Sequence, residues 1–217
     1  FYFYLLFGGN KLKKKYLSIF FEKKNIKMLF LGFSSGLPIL LVFSTLSVWL
    51  FKSGVDRSTV TLFSWAGFAY AFKYLWSPIV DNFSMPILKK IGHRKSWILF
   101  SQIMIILFLI ATSFAKPSSN LTYIAITITL LAIFSATQDI VIDAYRIECA
   151  DEKFQGPLSS MYIAGYRVGM LVSGAGSLWI ASLLSGEIYE VSVWKNVYLI
   201  MAFLMLIGVV TTFSLDE

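Results

Sequence analysis

Cysteine and histidine are almost missing from this 217-residue chain, which has one of each, Cys149 and His93. A single cysteine excludes an internal disulfide and a cysteine-held metal. The lone histidine lies in a basic loop, so no metal or other cofactor is expected. Charge is scarce too, at 14% of residues, while 57% are hydrophobic. Soluble domains run at about a quarter charged and about half apolar, so this is the composition of a membrane protein. There is no glycine-rich phosphate loop, nucleophile elbow or HExxH pattern, and the reading is of a non-enzyme.

What the chain does have is long uncharged blocks. No charge falls in 28–51, 96–115, 117–138 or 196–215. Single charges, Lys73 and Arg167, interrupt the blocks 58–80 and 154–186. Each block is close to the ~20 residues a helix needs to cross ~30 Å of hydrocarbon. The expected fold is an all-α integral membrane protein with six transmembrane helices, near 28–51, 58–80, 97–115, 121–144, 158–184 and 194–214. A basic cytoplasmic segment over 1–27 precedes helices 1–3 in 28–115 and helices 4–6 in 116–217. The opening "FYFYLLF" is too short to span and is set aside.

Net charge is +7, yet the basic residues cluster between apolar blocks rather than over a surface that nucleic acid would meet. Thirteen of them fall on one side: Lys11, Lys13, Lys14, Lys15, Lys23, Lys24, Lys27, Lys89, Lys90, Arg94, Lys95, Arg146 and Lys153. Four, Lys52, Arg57, Lys116 and Lys195, fall on the other. Positive residues stay inside, so both termini are expected in the cytoplasm. The lysine run also suits contact with anionic lipid. Gly32 and Gly36, and again Gly165 and Gly169, have the spacing that lets helices approach closely.

Ionisable residues inside the spans are functional candidates, since each needs a partner or a cavity. At 1.5 Å per residue, Lys73 lies about 12 Å from Asp81, Asp139 about 10 Å from Arg146 and Arg167 about 15 Å from Pro157. Asp139 and Asp143 are spaced i, i+4 on one helix face, where two carboxylates can share a proton. They are the proton-coupling candidates. Lys73 and Arg167 approach at similar depth and suit an anionic group; the adjoining Gln138 and Tyr166 complete the substrate-binding set. Asp143 and Arg146 read as an ion pair at a cytoplasmic gate.

The segments "LGFSSGLPILL", "FKYLWSPIVD", "HRKSW", "SATQDIVIDAYR" and "GYRVGMLVSGAGSL" resemble the AmpG-type muropeptide permeases, a branch of the major facilitator superfamily. The resemblance runs from about Gly32 to the end of helix 6. It implies half of a twelve-helix fold, built as two inverted three-helix repeats, with a missing C-terminal six-helix half on the same or a separate chain. It implies proton-driven import of N-acetylglucosaminyl-1,6-anhydro-N-acetylmuramyl peptides across the bacterial inner membrane for cell-wall recycling. It also implies a cytoplasmic gate at Asp81, Arg94 and Lys95, joined here by Arg146. Asn82 stands where the family usually carries arginine, which points to a weaker latch.

Three other readings compete. One is an acetyl-CoA-type or other organic-anion transporter of the same superfamily. Another is a half-transporter remnant without activity. The third, a prenyltransferase holding Mg²⁺ on a D-x-x-x-D pair, needs a second acidic motif that the chain does not offer.

Overall fold

The computed structural model describes residues 20–85, 91–150, 152–185 and 191–215. Within them the regular structure is helical, without a strand. In chain order the elements are α1 (Lys23–Lys52), α2 (57–82), α3 (His93–Ser113), α4 (Leu121–Glu148), α5 (Phe154–Leu184) and α6 (Ser192–Phe213). Five of these, all but α2, are helices long and apolar enough to cross a bilayer.

The expectation of six regular helices needs correcting at α2. That stretch is a relay of short pieces: Arg57–Leu62, a 3₁₀ turn Phe63–Ala66, Gly67–Ala71, a second 3₁₀ turn Lys73–Leu75, and Ser77–Asn82. The cause is local. Aromatic residues fall at nearly every second position from Phe63 to Trp76, a period that no single helix face can absorb. Pro78 then withholds the N–H that Tyr74 would otherwise receive. The Ser77 hydroxyl takes its place, donating to the Tyr74 carbonyl at 3.2 Å. Elsewhere the helices overrun their charge-free blocks. α4 continues to Glu148, so Asp143 and Arg146 lie within it.

α1 packs against α5, α6 and α4; α3 packs against α4 and α6; α2 packs against α4. Exchanging 1 with 4, 2 with 5 and 3 with 6 turns the α1–α5 contact into α4–α2, and α1–α6 into α4–α3. The α1–α4 and α3–α6 contacts map onto themselves. Apart from a contact between α5 and α6, this is the pairing of two inverted three-helix repeats.

The α1–α5 seam is closed by the four glycines. A Cβ at Gly32 would lie 2.1 Å from the Tyr162 carbonyl oxygen, and one at Gly36 2.1 Å from that of Tyr166. From the other side, a Cβ at Gly165 would lie 1.9 Å from the Leu29 oxygen and one at Gly169 2.3 Å from that of Phe33. The two backbones therefore touch directly, leaving no room for any side chain. Further along the seam both helices deviate. α1 carries Pro38 and breaks at Phe43, while α5 opens into a π turn over Val172–Gly176. The Thr45 hydroxyl of α1 donates to the Ser173 carbonyl in that turn at 2.8 Å. In hydrocarbon such a carbonyl must find a donor inside the protein.

At the opposite end Trp49 stacks on Trp194 at 6.1 Å and tilts against Tyr198 at 5.2 Å. At the lysine-rich end, basic side chains finish helices. Lys95 donates to the Phe213 and Leu215 carbonyls at 3.0 and 2.9 Å, Lys27 donates to the Ser214 carbonyl, and Lys24 to that of Cys149 at 3.3 Å. Ammonium groups suit these positions because C-terminal carbonyls carry the negative end of the helix dipole.

Candidate functional site

The ionisable residues form two groups at different depths. The shallower one centres on Arg94, in the first turn of α3. Gly92 precedes it with φ 106°, a conformation that side-chain-bearing residues rarely adopt, and this sets the angle at which α3 starts. Arg94 reaches Asp81 of α2 at 2.6 Å and Glu148 of α4 at 2.7 Å. Its Nε adds a bond to the second Glu148 oxygen at 3.1 Å, so one guanidinium ties three helix ends together. Trp97 supports the corner by donating its indole N–H to the Phe83 carbonyl at 2.7 Å.

The single gate network expected from the sequence resolves into separate parts. Arg146 pairs with Asp143 at 3.2 Å, donates to Ser159 at 2.8 Å and lies over the Tyr162 ring at 5.7 Å. Lys95 turns to the end of α6 as described. Lys89 and Lys90 lie outside the described residues.

The deeper group centres on Asp139. Its side chain is buried, and the hydroxyls of Ser35 on α1 and Tyr162 on α5 are near it. Lys73 and Asp143 lie within electrostatic reach. Its Oδ1 has no hydrogen-bond partner among the described residues. The Tyr70 hydroxyl comes near Ser135, and Tyr70 and Tyr166 both lie within electrostatic reach of the same carboxylate. α2 is held to α4 at this level by Trp76, whose indole N–H donates to Thr137 at 3.1 Å.

Of the two cations expected near Asp139, the structure brings in Lys73. Arg167 is exposed on α5 and acts electrostatically on its neighbour Tyr166, as Asp139 does. An arginine exposed in the middle of a span needs a cavity or a partner rather than lipid. Gln138 is not open to any space a substrate could enter. It is wholly buried in the seam with α1, where its amide donates to Ser34 at 3.1 Å and to Ser35 at 3.2 Å. Successive helix residues point about 100° apart, so Gln138 and Asp139 present different sides of α4, although both come near Ser35.

Residues 26–213 match the family model described as acetyl-coenzyme A transporter 1. The chain belongs to that family, which is of the major facilitator type. Among curated relatives it is 37% identical to putative transporter AmpG 4 of Rickettsia felis over 199 residues, which is 92% of this chain and 47% of the relative. It is 35% identical to the anhydromuropeptide permease of Escherichia coli K12 over 206 residues, 95% of this chain and 40% of that one. Putative transporter AmpG 3 of Rickettsia prowazekii is 37% identical over 194 residues, 88% and 44% respectively. The chain thus spans somewhat under half the length of these relatives. With the packing pattern above, this establishes a multi-pass membrane protein with half of a major-facilitator fold.

In this transporter-family chain, sequence reasoning missed several residues that complete the two groups. Glu148 lay beyond the assigned end of the fourth span, although its place two residues after Arg146 kept it near the basic end. Ser34 and Ser35 are a polar pair inside an apolar span, between two packing glycines; that was a usable signal. Tyr162 lies one turn before Tyr166 on α5 and could have been read from that spacing.

Proposed function

We propose that this chain forms one wall and the ionisable centre of a proton-coupled transporter that imports anhydromuropeptides into the bacterial cytoplasm. A second six-helix unit, on the same or a separate polypeptide, closes the cavity. The lysine-rich end faces the cytoplasm, in line with the bias of Lys and Arg to that side. The observation that carries the reading is the Asp139 group: a buried carboxylate whose Oδ1 has no hydrogen-bond partner among the described residues, with Lys73 within electrostatic reach and Arg167 exposed at mid-span.

In this reading Asp139, with Asp143, takes up and releases the coupled proton. Lys73, Arg167 and Tyr166 engage the peptide carboxylates and sugar hydroxyls of the substrate. Asp81, Arg94 and Glu148 latch the cytoplasmic ends of α2, α3 and α4, while Arg146 and Lys95 brace the ends of α4 and α6. The names of the curated relatives support the substrate class. The name of the matching family model favours a second reading, an acetyl-CoA or related organic-anion transporter, and the same cations would serve such a substrate.

The test is uptake into proteoliposomes containing this chain together with its second six-helix unit. Labelled anhydromuropeptide should accumulate under an imposed proton gradient, and Asp139→Asn should reduce accumulation to the level reached without a gradient. Accumulation of acetyl-CoA in place of the muropeptide would select the second reading. Accumulation of neither would defeat both.

A further inference from the structure

We infer that a cleft between α1 and the first turns of α2, toward the end opposite the lysine-rich one, is a subsite for an uncharged sugar ring. It is separate from the ionisable group around Asp139, and it rests on the proposed function for the identity of the ligand. The cleft lies where α1 breaks at Phe43 and has a volume of about 370 Å³. Small-molecule sites span roughly 300–1,000 Å³ and are mostly apolar with a few placed polar groups. Here the rings of Phe43 and Phe63 supply apolar surface, and the polar groups are four hydroxyls. Ser44 and Ser47 come from α1, Thr61 and Ser64 from α2. Every described residue that lines the cleft is uncharged.

The hydroxyls select what can bind. Each carries one proton and two lone pairs. Ser47 donates its proton to the Phe43 carbonyl at 2.8 Å, Thr61 to that of Arg57 at 2.8 Å and Ser64 to that of Thr61 at 2.7 Å. Ser44 makes the same kind of bond to Leu40 at 3.5 Å, long enough to be given up. Three of the four hydroxyls therefore offer a ligand lone pairs alone. A carboxylate or phosphate is itself acceptor-only and gains nothing from such a lining. A group rich in O–H and N–H donors does, and the hydroxyls and acetamido N–H of an N-acetylated sugar are such donors. The apolar face of the ring suits Phe43. That side chain is held in place: its ring atoms lie 3.3 Å from where a Cβ at Gly67 would be, and Tyr70 tilts against it at 5.9 Å.

Position supports a shared ligand. Ser44 lies eight residues before Lys52 and Ser64 seven after Arg57, so both walls carry hydroxyls about 10–12 Å in from the helix ends. Thr45, beside Ser44, is bonded to Ser173, six residues beyond Arg167 on α5. The cleft is therefore displaced from Arg167 by about 9 Å along the helices. A molecule with sugar at one end and carboxylates at the other would meet the cleft and the cations together.

The test is thiol protection in the transporter assembled with its second six-helix unit in lipid nanodiscs. Ser64→Cys is the reporter, on a cysteine-free background with Cys149→Ser in this chain. A water-soluble maleimide should label it. The peptide-free disaccharide, its lactyl carboxyl amidated so that the probe is neutral, should slow labelling, and the sugar-free peptide should not. Adding Thr61→Val should raise the half-protecting concentration of the disaccharide about fivefold, the scale of one hydrogen bond, while Thr61→Ser should leave it unchanged.

Equal protection by both probes, protection by neither, or no effect of Thr61→Val overturns the inference. So does a cysteine that reacts only with a lipid-soluble maleimide, which would place lipid in the cleft. Protection by the disaccharide in a protein that accumulates no anhydromuropeptide upholds the subsite and rejects the proposed function. Accumulation without such protection does the reverse.

Discussion

The α1–α5 and α4–α2 contacts are equivalent under the exchange of the two repeats, yet they are built by opposite means. α1 meets α5 backbone to backbone across four glycines. α4 meets α2 through side chains, with Trp76 bonded to Thr137, and α2 itself is broken into short turns. Lipid tails are as apolar as the helices, so packing and internal hydrogen bonds decide how firmly two spans adhere. The glycine seam has no slack, because its surfaces are peptide groups. The aromatic seam can repack by changing rotamers. Two equivalent contacts are thus a fixed joint and an adjustable one, and the Asp139 carboxylate lies between them. A serine of the fixed side is near it, and Lys73 of the adjustable side lies within its electrostatic reach.

The contrast can be broken most strongly at the glycines. Gly165→Ala places a methyl where 1.9 Å separates it from the Leu29 oxygen. Neither backbone can yield, so the loss of stability should reach about 3 kcal/mol, the upper part of the usual range for overpacking. Reversible unfolding in mixed micelles would measure it. A loss no larger than that from a substitution in the α2–α4 contact would mean the two seams do not differ. A smaller effect is expected from Trp76→Phe, which keeps most of the ring but removes the bond to Thr137. About 0.6–1 kcal/mol should go, as is usual for a single hydrogen bond between spans. Hydrogen exchange confined to α2, with α1 and α5 unaffected, would sharpen the comparison.

The smallest effect concerns how α2 begins. Asp56 caps its first turn, accepting from the Thr59 N–H at 2.9 Å and from the hydroxyls of Ser58 and Thr59. The Ser58 hydroxyl foremost, then Thr59, holds this exposed carboxyl down from an ordinary 3.8 to about 2. A depressed carboxylate contributes its stability above the ordinary value and loses it as pH falls toward the folded one. The cap should therefore persist through pH 4 and fail on approach to pH 2, which a carbon NMR titration of the Asp56 carboxyl would show. Asp56→Ala should loosen only this first turn.

Much of the architecture could be read from where charge is missing, because a span must be apolar whatever its helical regularity. That is also why α2 misled: the absence of charge reports burial in lipid, and the alternating aromatics and Pro78 decide whether the backbone stays α-helical. The glycine pairs announced close approach but not their partner, since spacing carries no information about which helix lies opposite. Asp139 stood out because a carboxylate deep in a span is costly wherever it points. Gln138 could not be placed, because its role depends on how α4 is rotated, and adjacent residues on a helix look in different directions. Arg94 and Asp81 were legible as a pair; Glu148 was not, since it sits where the charge-free block has already ended.

The four glycines of the α1–α5 seam have a consequence at the level of codons. Every single-base change that replaces a glycine adds at least a Cβ, because no residue is smaller. At most buried positions a protein can drift through substitutions of similar volume. Gly32, Gly36, Gly165 and Gly169 have no such neighbours, and each faces carbonyl oxygen rather than a side chain that a second mutation could trim. Changes there cannot be compensated in small steps, so this seam is a barrier in sequence space as well as a joint in the molecule.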